Sequence, residues 1–183
     1  SKTPIDMTVG HSNFDGAYKT TKYLIERGYD PIAYIGIPHH GNDRAVDRKG
    51  GYEAALYDAG IKPDPRHYIE TSLDLTGGAQ AMQRLLACRP RVRAVFCYSD
   101  AVAAGAIFEC HRQGIAIPDT MAVAGYDDLE IARQMTPALT TLRVPCYEIG
   151  KRSGELICQR LAGKPVTEKI VDTGCELIIR ESA

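Results

Sequence analysis

Apolar residues fall along this chain in short continuous runs that alternate with longer stretches repeating every three or four positions. A short run bounded by polar residues suits a strand buried on both faces of a parallel sheet, and the three-to-four repeat suits a helix with one face on a core. The clearest unit spans 94–128. Ala94-Val95-Phe96-Cys97 predicts a buried strand, which Ser99 and Asp100 stop. An alanine-rich stretch from Ala101 with Val102, Ala106, Phe108 and Cys110 at helical spacing predicts a helix, with Gly114 as its C-terminal glycine and Pro118 barring continuation. Met121-Ala122-Val123-Ala124 predicts a second buried strand, closed by Gly125 and followed by Tyr126-Asp127-Asp128.

The flanking pattern continues the alternation. Ile5 to Val9 predicts a strand, and His11-Ser12-Asn13 caps a helix from about Phe14 to Arg27 that Gly28 ends. Ile32 to Gly36 predicts the next strand and Pro38 to Arg44 a polar loop. A helix striped by Tyr52, Ala55, Leu56 and Ala59 follows, with Arg48 at its start. A short strand near His67 to Glu70 and a helix carrying Ala79, Met82, Leu85 and Leu86 lead into the central unit. Beyond it come a short helix from Leu129 to Met135, a strand or crossover at Thr140-Thr141-Leu142, a helix from Glu148 to Leu161, and strands at Lys169 to Asp172 and Glu176 to Ile179. Alternating elements of this length predict an α/β, doubly wound parallel sheet.

In such a sheet the two strand ends of the central unit share one edge, and open α/β sheets hold ligands outside that carboxyl edge. Ser99, Asp100, Asp127 and Asp128 therefore belong near one site, although each is also a residue type favoured as a helix N-cap. Carboxylates accept from hydroxyls and an Arg donates a planar fork, so this set with Arg48 suits a hydroxylated small molecule. A surface charge at a helix start is the competing role for Arg48, and a structural histidine the competing role for His11. Asp100 and Asp127 also leave open an acid and base pair acting across a sugar ring.

Composition narrows the classes. With 183 residues, 44% of them hydrophobic, the chain fits one domain with room for an extra lobe. A net charge of -1 gives no global field for nucleic acid or an anionic membrane, and Arg89, Arg91 and Arg93 read as a solvated loop. The six cysteines show no C-x-x-C pairing, which suits a reducing cytoplasm. No membrane span or signal peptide is present in the sequence. The start at Ser1-Lys2-Thr3-Pro4 suggests a fragment or processed product. Neither a G-x-G-x-x-G, a G-x-x-x-x-G-K-[ST] nor a G-x-S-x-G motif occurs, and His39-His40 are poorly spaced metal ligands, so no cofactor, metal or catalytic centre is expected.

Taken together and in order, several stretches resemble the effector-binding region of the lactose-repressor/galactose-repressor (LacI/GalR) family of bacterial transcription regulators. They are Asp15-Gly16-Ala17 with Tyr23 to Tyr29, Arg48-Lys49-Gly50-Gly51-Tyr52, Ala94 to Gly105, Val123 to Asp128, Thr136 to Thr141 and Glu176 to Ser182. The resemblance implies a periplasmic-binding-protein-like type I fold with two lobes around an effector. Residues 1–13 would end the N-terminal lobe and cross over, 14–141 form the C-terminal lobe, 142–163 return to the first lobe, and 164–183 supply terminal strands of the C-terminal lobe. Crossovers would lie near Asn13, Leu142 and Gly163. The helix-turn-helix would lie outside this chain, so operator DNA, a homodimer and a small-molecule effector are the implied partners.

By the same resemblance Arg48 is similar to the family's effector-clamping Arg, and Asp127 to the Asp that accepts from effector hydroxyl or amino groups. Leu73 falls near an aromatic that packs on the ligand, His11 faces the cleft, and Ser99 stands where the family usually has Asn, which implies different effector chemistry. Val9 to Phe14 and Phe108 to Arg112 look most like gluconate-type repressors, which implies a sugar acid whose carboxylate pairs with Arg48. A periplasmic sugar-binding protein shares the fold and is the alternative.

Overall fold

The computed structural model describes residues 4–183. Six strands form the main sheet in the order β3 (Tyr68–Glu70), β2 (Ile32–Gly36), β4 (Ala94–Cys97), β5 (Ala122–Asp127), β6 (Thr140–Arg143) and β8 (Glu176–Ile178). All pair in parallel except β8, which is antiparallel to β6. Alternate residues of each strand face opposite layers, because successive side chains of a strand point to opposite faces. Tyr34, Phe96 and Tyr126 pack with Ala17, Tyr52 and Leu56, under α1 (Asn13–Glu26) and α2 (Asp43–Asp58). Ile35, Val95 and Val123 pack with Met82, Leu85 and Ile107, under α3 (Leu75–Leu86) and α4 (Asp100–Arg112). The sheet is doubly wound, as the alternation of runs predicts.

Close helix contacts hold each layer. A Cβ at Gly78 or Gly105 would fall on the carbonyl oxygen of Val102 or Leu75 respectively, so α3 and α4 meet backbone to backbone. A Cβ at Gly51 would fall on the Phe14 carbonyl, which brings α1 and α2 equally close.

Several boundaries differ from the sequence reading. Asn42 accepts a hydrogen bond from the Ala45 amide and caps α2, so the helix begins at Asp43, inside the expected loop. Arg48 thus lies in its second turn, facing inward. β5 runs through Gly125 to Asp127 instead of closing at the glycine, because Gly125 leaves room for the Asp100 side chain. The short helix α5 (Glu130–Gln134) forms where expected, and α6 (Cys146–Leu161) begins two residues early.

The C-terminal strands also separate. β7 (Ile170–Asp172) pairs in parallel with β1 (Thr8–Gly10) in a two-stranded sheet of its own, beside α6 (Cys146–Leu161). Of the two strands expected to close the main lobe, only β8 joins it. Gly163, with φ 70°, merely ends α6, and the chain returns to the main sheet after β7, between Asp172 and Glu176. The end is anchored inside the larger body. Ser182 Oγ donates to the Val123 carbonyl at 2.6 Å and accepts from the Thr140 amide at 2.9 Å.

Candidate functional site

The order β3-β2-β4-β5-β6 makes the chain reverse direction between β2 and β4. At such a switch point the loops leaving the two strands run opposite ways and open a crevice at the carboxyl edge. Tyr98 and Ser99 leave β4 there, and α2 rises directly from the loop after β2.

Arg48 reaches into this crevice from α2 and is only 4% exposed. Its Nε donates to Asn13 Oδ1 at 2.9 Å and its Nη1 to the Tyr98 carbonyl at 2.6 Å. The guanidinium carbon lies 3.5 Å from the Tyr126 ring centroid and 4.4 Å from that of Tyr98. A planar cation between two aromatic faces is held by its delocalised charge as well as its hydrogen bonds. Its Nη2 stands 3.5 Å from Asp127 Oδ1. That separation exceeds the roughly 2.7–2.9 Å of a tight charge-assisted hydrogen bond. The facing edges of the pair therefore have hydrogen-bonding capacity left over.

Asp127 ends β5 with φ 110°, and Asp128 follows with φ 54°. Non-glycine residues with positive φ cost roughly 1–3 kcal/mol and gather at ligand sites. The conformation turns consecutive carboxylates to different tasks. Asp127 stays partly exposed beside Arg48, and burial raises its pKa against the opposing pull of Arg48 and then Arg44. His11, in the connection from β1, has its Nε2 2.8 Å from the Tyr126 hydroxyl. Burial first and the Arg48 charge second lower its pKa, with Asp172 opposing and Arg44 adding.

Arg48, Asp127 and His11 are thus brought together, with His11 linked to the ring on which Arg48 lies. Ser99 is buried at the same edge, and its oxygen accepts from the Val102 amide as the N-cap of α4. Leu73 sits exposed on the loop after β3. The other two carboxylates are structural. Asp100 accepts from Thr141 Oγ1 at 2.5 Å and from the Leu129 amide at 2.6 Å, and it is fully buried, so it has no open face to set against Asp127 across a sugar ring. Burial pushes its carboxyl up to about 7. The Asp128 side chain is 2% exposed between Arg180 at 2.6 Å, Arg143 at 2.7 Å and Arg133 at 3.7 Å, pinning the end of β5 to β6 and to the chain's last segment.

Asn13, Tyr98, Tyr126 and Arg44 escaped the sequence reading. Arg44 is four residues before Arg48, the helical spacing that puts two side chains on one face, and that spacing was the available signal. Among the described residues no group of three or more His, Cys, Asp or Glu side chains is arranged to hold a metal, and no helix is long and apolar enough to cross a membrane.

A family profile described as a periplasmic binding protein-like domain matches residues 21–183. The HTH-type transcriptional regulator GntR of Escherichia coli K12 is 35% identical over 178 residues, 97% of this chain and 53% of that protein. The crystal structure of the transcription regulator GntR from Chromobacterium violaceum superposes with a TM-score of 0.91 at 32% identity, over 97% of this chain and 65% of that one. A regulatory protein of the LacI family from Chloroflexus aggregans gives 0.92 at 26% identity, over 98% of this chain and 65% of the other. The chain spans about half the length of the curated relatives it matches.

Proposed function

We propose, since the chain belongs to the periplasmic-binding-protein-like family of LacI/GalR transcription regulators, that it is the effector-sensing part of a regulator whose DNA-binding part lies outside these residues. The observation that carries this reading is the Arg48–Asp127 pair at the switch point of the sheet, buried on the arginine side and open on the aspartate side. A ligand hydroxyl between them donates to Asp127 Oδ1 and accepts from Arg48 Nη2. Such a site takes a polyhydroxylated small molecule, and the likeness to gluconate-type repressors favours a sugar acid. The His11 imidazole and the Ser99 hydroxyl, whose proton the cap leaves free, border the same hydroxyls. Leu73 supplies apolar surface to the sugar's carbon face.

His11 and Asn13, on the connection from β1, meet Tyr126 and Arg48 of the larger body, and this is one of three connections between the main sheet and the β1–β7 sheet. A ligand touching both bodies favours one relative arrangement over others, and by linkage it changes the affinity of the whole regulator for operator DNA by the same coupling energy. The regulator works as a homodimer in the cytoplasm, where the six free cysteines of this chain stay reduced.

Thermal denaturation against a panel of aldonates, uronates and neutral hexoses tests the site. A ligand present at about 100 times its Kd adds about 2.7 kcal/mol of stability, a readily measured rise in Tm. Arg48→Ala abolishes the rise. An undiminished rise in that variant refutes the site.

A further inference from the structure

We propose that Arg44, not Arg48, reads the acidic group of the effector, and so decides between a sugar acid and its neutral counterpart. The inference rests on the reading of Arg48 and Asp127 as the effector site.

The edge of Arg48 left for a ligand lies beside a carboxylate. Bidentate recognition of a carboxylate needs two parallel N–H groups on one free edge of the guanidinium. Nε of Arg48 is taken by Asn13 and Nη1 by the Tyr98 carbonyl, Nη2 faces Asp127, and the Tyr98 and Tyr126 rings lie against the group. A carboxylate brought to Nη2 meets the Asp127 carboxylate, a like charge. The pair is built for hydroxyls.

Arg44 is differently placed. It lies on the same face of α2 as Arg48, one turn nearer the helix N-terminus, which sits at the carboxyl edge. It is exposed and makes no hydrogen bond or ion pair among the described residues. Its charge is felt both at His11, after β1, and at Asp127, at the end of β5. Arg44 thus stands one helical turn from Arg48, on the face of α2 that carries the Arg48–Asp127 pair. The first-turn amides of α2 add positive potential, which Asp43 beside Arg44 partly offsets. An anionic group under Arg44 lies one helical turn from Arg48, with the sugar hydroxyls left for Arg48 and Asp127.

The test is isothermal titration of the parent, Arg44→Gln and Arg48→Ala with two matched ligand pairs. D-Gluconate is set against D-glucitol, and D-glucuronate against D-glucose. In the parent an acid binds at least about tenfold tighter than its neutral partner, and Arg44→Gln removes that preference while changing neutral-ligand affinity less than about twofold. Arg48→Ala weakens both members of the pair. Equal loss of acid and neutral ligand in Arg44→Gln overturns the proposal, as does a parent without preference for the acid. In both of those cases the effector site itself stands if Arg48→Ala still weakens binding. Failure of the parent to bind any of the four overturns the sugar-acid reading and this inference with it.

Discussion

The Asp100 carboxylate occupies the space that a side chain at Gly125 would need: a Cβ there falls directly on Oδ1. The glycine in the middle of β5 is thereby matched to the first residue of α4, and through Asp100 to Thr141 on β6 and Leu129 after β5. Gly125→Ala is expected to destabilise the protein by about 1–3 kcal/mol, the usual range for overpacking a core. Because the two positions share one volume, Asp100→Ala in the same chain relieves part of that cost, so the two effects fall short of additivity. Urea denaturation of both single variants and the double variant measures the coupling. Additive losses refute the shared-volume account.

Asp100 also sets a pH dependence. Its carboxyl titrates near 7 in the folded chain against 3.8 unfolded, because burial outweighs its two hydrogen bonds. Between those values the folded state holds a proton that the unfolded state has lost, so stability falls as pH rises from about 4 to about 7. At 1.36 kcal/mol per unit the group's share is on the order of 4 kcal/mol. Asp127, also raised, acts in the same direction, while His11, lowered, contributes stability that increases as pH rises towards 6.5. Asp100→Asn keeps both hydrogen-bonding positions and removes the titration. The difference between parent and variant urea midpoints across this range isolates Asp100, and a pH-independent difference counts against a buried, titrating carboxyl.

Asp127 pairs strain with exposure, so binding and stability respond to it in opposite senses. Glycine adopts a φ of 110° without the steric cost an aspartate carries. Asp127→Gly is expected to raise stability by roughly 1 kcal/mol while abolishing ligand-induced stabilisation. Asp127→Asn keeps the shape but loses the charge facing Arg48, and weakens binding with little change in stability. Melting curves with and without ligand compare the two. Since Asp127→Asn also removes the charge facing Arg48, an Asp127→Gly less stable than Asp127→Asn shows that the backbone there carries no strain.

Much of this architecture is written locally. The buried runs at Ile32 and Ala94 and the striped helices declare themselves through period alone, since each is fully covered on both sides of the sheet. Arg48 was harder to assign. Pro38 to Gly41 carries the turn residues that mark a loop, and the polar first turn Asp43-Arg44 hides the helix start, so a deeply buried guanidinium was legible as a surface charge. Its place at the helix entry allowed a site role beside that surface one, and its likeness to the family motif chose between them. Asp128 looked equivalent to Asp127 because nothing nearby in sequence announces Arg143 and Arg180, which reach it from β6 and from the segment after β8. β7 likewise has the pattern of any short strand, and its partner is set by tertiary placement.

That partner has a cost in time. Thr173 Oγ1 donates to the Gly10 carbonyl across a separation of 163 residues, closing the β1–β7 ladder. At about 5–20 residues per second, a ribosome needs roughly 8–30 seconds to deliver the second strand after the first. Through that interval the edge of β1 that β7 covers has no partner while the larger sheet is already assembling, so that edge of Thr8–Gly10 is where a nascent chain is open to a chaperone or to the wrong neighbour.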